Sequence, residues 1–251
     1  RLYEFLGQEY IQRKLKEKGY PDVIIRHRLQ VNRTVEQQSI TNPVKFYDTA
    51  GNLIYEQPAI KSNAVFEATN VLLGKGYIKS GKLINEPFSF LNKNRIHLQD
   101  LHHILQSVIF PEQFTRKKRF NLTEDDYAFV RKYMSIYPRE SETPSYDSSY
   151  YYDTYCKFLL HGSERKTLFP NVKIYNKVGD AYGFLLDIAY ITDPSNNIEF
   201  MLSAVISCNT DGIYNDDQYE YDAIGFPFMR DLGIAIYQQE LQRKGKLPII
   251  K

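Results

Sequence analysis

Apolar residues in the first stretch of the chain fall at Leu2, Phe5, Leu6, Ile11 and Leu15, a helical spacing that Gly19 and Pro21 bring to a stop. The start of that helix carries no capping residue and no preceding turn, so the sequence reads as cut from something longer. Residues 22–60 hold turn chemistry at "TNP" and "DTAGN" without a sustained period and predict a strand-poor loop. The glycine-rich "LLGKGYIKSGKLI" within 61–92 predicts a short hairpin. In "HLQDLHHILQSVIF", Leu98, Leu101, Ile104, Leu105 and Val108 share one helical face, and Pro111 lies beyond its end. A further helix is expected from Thr123 to about Tyr137, with Asp126 placed to complete a capping box and Leu122 to staple against Tyr127. "SYDSSYYYDTYCKFLLHG" predicts a tyrosine-rich helix closing at Gly162.

After residue 170 the pattern changes. "VKIYNKV", "YGFLLDIAYI" and "IEFMLSAVISC" are rich in β-branched and aromatic residues and are joined by the short turns "GDA" and "TDPSNN". Short connections make them neighbours in an antiparallel meander, and the second and third runs are so continuously apolar that both faces of the sheet should be covered. One cover is the helix at about 226–244, with Met229, Leu232, Ala235 and Ile236 as its stripe and Gly245 as its stop. The expected fold is mixed α/β (α+β), with about three antiparallel strands at 173–178, 183–191 and 198–207 under helices. Residues 1–144 form a mainly helical and loop region with a short hairpin, residues 145–251 the helix, strands and terminal helix, and together they make one domain.

Composition narrows the function classes. A chain of 251 residues can bury a sizeable core, and its 32 basic and 30 acidic residues are interspersed, which offers no electrostatic footing for nucleic acid. No apolar run approaches the roughly 20 residues of a membrane helix, and no signal peptide is visible. Cys156 and Cys208 fit no metal or redox spacing and are expected as unpaired thiols. His102 and His103 point to different faces of a helix and form no ligand set. The acidic "NTDGIYNDDQYEYD" raises a calcium-stabilised surface domain, but it lacks the alternating ligands and terminal glutamate of an EF-hand.

The order of a helix, a strand with Lys-x-Gly, a hairpin into two apolar strands and a terminal amphipathic helix resembles the C-terminal part of the serine β-lactamase and penicillin-binding-protein superfamily, within it the class A-like serine hydrolases. The residues that carry the likeness are Lys177, Val178, Gly179, Gly183, Asp187 and Ala189, set against that family's Lys-Thr-Gly motif and the Asp-x-Ala of its next strand. It extends over about residues 145–244 and upstream only in the order of elements. The resemblance implies an acyl-enzyme mechanism on an amide or ester, such as a cell-wall peptide or β-lactam-like small molecule, with no cofactor, in a periplasmic or secreted protein. It makes Lys177 a source of positive potential, Gly179 a point of close backbone approach, Val178 a substrate-lining position and the Asp180 N–H an oxyanion donor.

Two departures shape that reading. Val178 stands where the family has a hydroxyl, so a β-lactam carboxylate loses a donor. The family's Ser-x-x-Lys and Ser-x-Asn motifs precede the helix with which this chain begins, so the nucleophile is expected upstream of residue 1 and the chain alone is expected to be inactive. The literal Ser163-x-x-Lys166 follows a helix-ending glycine and runs into Phe169-Pro170, where it cannot open a buried helix. Glu36 is the candidate for the deacylating base, although its separation from Asn42 is wrong for the family's pattern. The strand at 198–207 is expected to meet a missing N-terminal segment or a second copy. A non-catalytic binding or structural module that keeps the fold is the alternative.

Overall fold

The structure is a computed structural model that describes residues 1–67 and 70–245. Helix α1 (Leu2–Glu17) is interrupted at Gly7 (φ 71°, ψ 163°) and ends as the sequence predicts. Gly19 turns left-handed (φ 94°), its N–H reaches the Lys16 carbonyl at 3.0 Å, and the Tyr20 N–H reaches Leu15 at 2.9 Å, satisfying two end carbonyls.

The expected loop at 22–60 is a correction. It holds a short helix α2 (Val35–Ser39) started by a Thr34–Gln37 capping box, then a hairpin of β1 (Val44–Tyr47) and β2 (Leu53–Gln57). The Asp48 carboxylate closes that hairpin by accepting the N–H groups of Ala50 and Asn52 at 2.9 and 2.8 Å, local chemistry that fixes a turn without a buried face. Strand β3 (Leu72–Leu73) pairs with β6 (Phe88–Ser89), and between them β4 (Gly76–Lys79) and β5 (Lys82–Ile84) form the expected hairpin. Helices α3 (Leu98–Ile109) and α4 (Glu124–Ser135) follow, the second with its Thr123–Asp126 capping box in place.

The tyrosine-rich helix does not form. Residues 146–157 are turns and irregular chain, and only one distorted turn, α5 (Phe158–His161), remains, with Leu160 at φ 76°. Consecutive tyrosines surround a helix instead of making one apolar stripe, and Tyr146, Tyr150, Tyr151 and Tyr155 are exposed here. Cys156 is itself left-handed (φ 59°), which ends any helix entering from upstream.

The main sheet consists of β7 (Lys173–Ala181), β8 (Phe184–Asp193) and β9 (Ile198–Ser207), antiparallel in the order β7-β8-β9. The short β10 (Ile213–Tyr214) joins β4 in parallel, and α6 (Phe226–Arg243) closes the described chain. The "GDA" turn is corrected: Gly179, Asp180 and Ala181 lie inside β7, and the connection is Tyr182 (φ 55°) and Gly183 (φ 77°), the two left-handed residues that a tight hairpin requires. A side chain at Gly183 would place Cβ 2.9 Å from Asn209 Cβ, so only glycine fits.

Both faces of this sheet are covered. On one, Ile174, Leu185, Ala189, Ile191 and Ala204 pack with Met229 and Tyr237 of α6; on the other, Ile188 packs with Leu105 and Ile109 of α3. The α6 stripe is rotated from the expected one, with Met229, Gly233 and Tyr237 buried and Ala235 exposed. A Cβ on Gly233 would lie 2.5 Å from the Leu160 nitrogen, so α6 and α5 approach at backbone distance and the glycine sets the rotation. Strand β9 has no strand neighbour on its outer side among the described residues, and Val205 there is 45% exposed. No described helix is long and apolar enough to cross a membrane.

Candidate functional site

The hairpin turn fixes which way each peptide group of β7 points. Ala181 and Phe184 close a two-residue turn, so Ala181, Gly179 and Lys177 exchange hydrogen bonds with Phe184, Leu186 and Ile188 across an unshifted register. The N–H and C=O groups of Asn176, Val178 and Asp180 therefore point away from β8, off the open side of the sheet.

Half of that open side is occupied from within the chain. The Lys157 ammonium donates to the outward Ile174 carbonyl at 3.0 Å, to Asn176 Oδ1 at 2.8 Å and to the Met134 carbonyl at 2.7 Å. Asn176 Nδ2 in turn donates to the Cys156 carbonyl at 2.8 Å and to Asp187 Oδ1 at 2.9 Å, and Asp187 Oδ2 accepts the Leu159 N–H at 3.0 Å. Lys157, Asn176 and Asp187 are all buried, and burial dominates the ionisation of the lysine and the aspartate. It pushes the Asp187 carboxyl up and the Lys157 amine down, each against the pull of the other charge. A fully bonded network of this kind locks residues 174–176 to the segment before α5.

Lys157 and Asn176 are site-shaping residues that sequence reasoning missed. A lone lysine ahead of the apolar "FLL", matched by the lone aspartate in "FLLDIAYI", was the available signal: isolated opposite charges in runs destined for burial need each other.

Beyond this clamp the edge is open. Lys177 is exposed in the middle of β7, on the α3 side of the sheet, and its amine bonds the outward carbonyl of Val178. The Val178 side chain lies on the opposite face and packs against the α6 core. Gly179 needs neither a left-handed backbone nor empty space, since an added Cβ would meet only Leu186 Cδ2 at 3.8 Å, an ordinary contact. The fold does not require that glycine. The Asp180 side chain is exposed, and its N–H has no hydrogen-bond partner among the described residues.

Other candidates lie elsewhere. Glu36 sits in the first turn of α2 with its side chain 76% exposed and faces Lys61 at 3.7 Å, and no hydrogen bond among the described residues links it to β7. Ser163 and Lys166 are both exposed in the turn after Gly162. Cys156 and Cys208 are free thiols, and burial raises both pKa values, so neither is primed as a thiolate. His161 is buried, with Nε2 unpaired, and burial lowers it to about 4, which keeps the ring neutral. Among the described residues no three His, Cys, Asp or Glu side chains gather as a metal site.

Comparison with protein-family models, with curated proteins and with solved structures finds no match to this chain. The β7 edge offers its own chemistry: outward peptide groups of which the Asp180 N–H is free among the described residues, a cation beside them, and a glycine that packing does not demand.

Proposed function

We propose that this chain forms the substrate-facing strand and its support in a β-lactamase-like serine hydrolase, acting through an acyl-enzyme on an amide or ester. The nucleophile is supplied by sequence outside residues 1–251, because the chain's one Ser-x-x-Lys lies in an exposed turn. The observation that carries this reading is Gly179: a glycine without a packing role, between Lys177 and the free Asp180 N–H, lets a substrate carbonyl approach the edge. In this reading the Asp180 N–H stabilises the developing oxyanion and Lys177 supplies the positive potential. The unpaired side of β9 then receives a further strand, from the rest of the protein or from a second copy, and the protein works in the periplasm or outside the cell.

The test is covalent labelling of the full-length protein with a fluorophosphonate or fluorescent penicillin, followed by mapping of the modified residue. A labelled serine upstream of this chain is expected, with Lys177→Ala lowering the acylation rate by about tenfold or more while the melting temperature holds, since an exposed strand lysine adds little stability. No labelled serine, or equal labelling of the variant, defeats the enzyme reading. A non-catalytic module is favoured by Val178, whose side chain is committed to the core and offers no donor to a ligand; under it, unlabelled protein would still bind peptides along β7.

A further inference from the structure

Strand β7 ends at Ala181, and the next residue, Tyr182, is one wall of a cleft of about 490 Å³ that reaches back to the segment before α2. Its cationic lining comes from Arg26, Arg28, Arg33 and Lys93, and none of its described lining side chains is a carboxylate. Only Arg28 among them has an ion-pair partner in contact among the described residues, and the same Glu4 acts on Arg33 from further away. Arg28 forms a two-point ion pair with Glu4 at 2.5 and 2.8 Å, leaving Arg26, Arg33 and Lys93 without an ion-pair partner in contact among the described residues.

Two of these three cations are held in place. The Arg26 guanidinium lies over the Phe66 ring at 4.9 Å and spends one donor on the Leu91 carbonyl at 2.9 Å. Burial, and to a lesser degree the neighbouring Arg95, disfavour its charge against a smaller opposing pull from Tyr3. The Lys93 amine lies 4.8 Å from the centre of the Tyr182 ring and bonds the Tyr182 hydroxyl. Cations fixed against aromatic faces around a concave wall focus positive potential, and guanidinium groups with free donors match the two oxygens of a carboxylate.

We propose that this cleft is an anion subsite that receives a carboxylate side chain of an extended peptide lying along β7. The cleft and the edge meet at Tyr182, the turn residue that follows Ala181 and also lines the cleft. A peptide strand advances about 3.3 Å per residue, so a ligand paired at Asp180 reaches the Tyr182 wall within about two residues. The proposal rests on the reading of β7 as the substrate edge and narrows the substrate to an acidic acyl peptide.

The test uses the full chain and two blocked peptides, acetyl-Ala-Ala-Ala-Glu-amide and its Gln counterpart, with inorganic phosphate as a third probe, measured by calorimetry at low and high salt. A preference of about tenfold for the Glu peptide is expected at low salt, shrinking as salt is raised. Arg33→Gln and, separately, Lys93→Gln should each reduce that preference with little change in affinity for the Gln peptide. Fluorophosphonate labelling of the unmodified full-length protein is read separately, so absent labelling beside a retained Glu preference defeats the edge chemistry and leaves the cleft standing. Equal binding of the two peptides, or a preference untouched by both cleft variants, overturns the proposal. Phosphate binding without discrimination between the peptides also overturns it.

Discussion

Two hairpins of this molecule share one backbone pattern and differ in almost everything else. The β1–β2 pair and the β8–β9 pair are both antiparallel, both rich in β-branched and aromatic residues, and both joined by short polar turns. In the first, Phe46, Tyr47, Leu53, Ile54 and Tyr55 are all exposed; in the second, Leu185, Ala189 and Ile191 are wholly buried. Strand-forming side chains allow a ladder, but what makes it a core is the cover on its faces, supplied by α6 and α3 for the second pair alone. The β1–β2 pair meets α1 at Phe5, whose ring lies 5.4 Å from Phe46 and 5.7 Å from Tyr55, and the chain around it is held by polar pins: Glu4 to Arg28, Gln38 to the Val31 carbonyl at 3.1 Å, and Gln8 to the Arg26 carbonyl at 2.7 Å.

The comparison is broken most forcefully in the core. Leu185→Ala removes a side chain with 0% exposure from between α6 and the sheet and is expected to cost about 2–5 kcal/mol, the transfer term plus a cavity. Ile54→Ala, at 65% exposure, should change stability by no more than about 0.5 kcal/mol. Urea unfolding of the two variants measures the difference, and similar losses would mean that the β1–β2 hairpin is covered in solution.

Acid should separate the two regions next. Glu4 is held down to about 2, chiefly by its hydrogen bonds with Arg28, from an ordinary 4.5. Its folded value lies below its unfolded one, so the pair's stabilisation is present above about pH 4.5 and is lost as pH falls towards 2, by at most about 3 kcal/mol. Hydrogen exchange across α1 and residues 26–40 is expected to accelerate over that window before the main sheet responds. Glu4→Gln should weaken the region at neutral pH and flatten its acid response. An unchanged acid profile in that variant would remove Glu4 as the pin.

The same contrast explains what the sequence made legible. Strands and helices that bury a face were readable, because burial imposes a period: the three strands of the main sheet, α3 with its apolar stripe, and the cover on both sheet faces. Elements stabilised by local polar chemistry were not, since the Asp48 turn and the Thr34–Gln37 box leave no hydrophobic period behind them. The tyrosine run misled for the opposite reason, having apolar surface on every side of a helix and a stripe on none. In the candidate site, Lys177, Gly179 and Asp180 were found by motif, yet their setting was misplaced by one turn. "GDA" reads as a turn only if Tyr182–Gly183 is overlooked, and that choice decides which peptide groups face outward. The clamp of Lys157, Asn176 and Asp187 depends on contacts 11 to 19 residues apart, which no local pattern displays.

The smallest expected effect on stability is also the one that bears most directly on function. Gly179→Ala adds a methyl group into an ordinary 3.8 Å contact with Leu186, at a backbone angle that any residue can adopt. Its stability should stay level or rise by about 0.4–1 kcal/mol, because alanine reduces the freedom of the unfolded chain. Gly183→Ala is the control: φ 77° and a Cβ only 2.9 Å from Asn209 Cβ should make it lose more than about 1 kcal/mol. If β7 is the substrate edge, Gly179→Ala in the full-length protein should slow acylation by tenfold or more at unchanged melting temperature, since the methyl group stands where a substrate carbonyl must come close. A fully active Gly179→Ala protein would mean that nothing approaches the edge at that point, and the glycine would lose the only role that its packing leaves open.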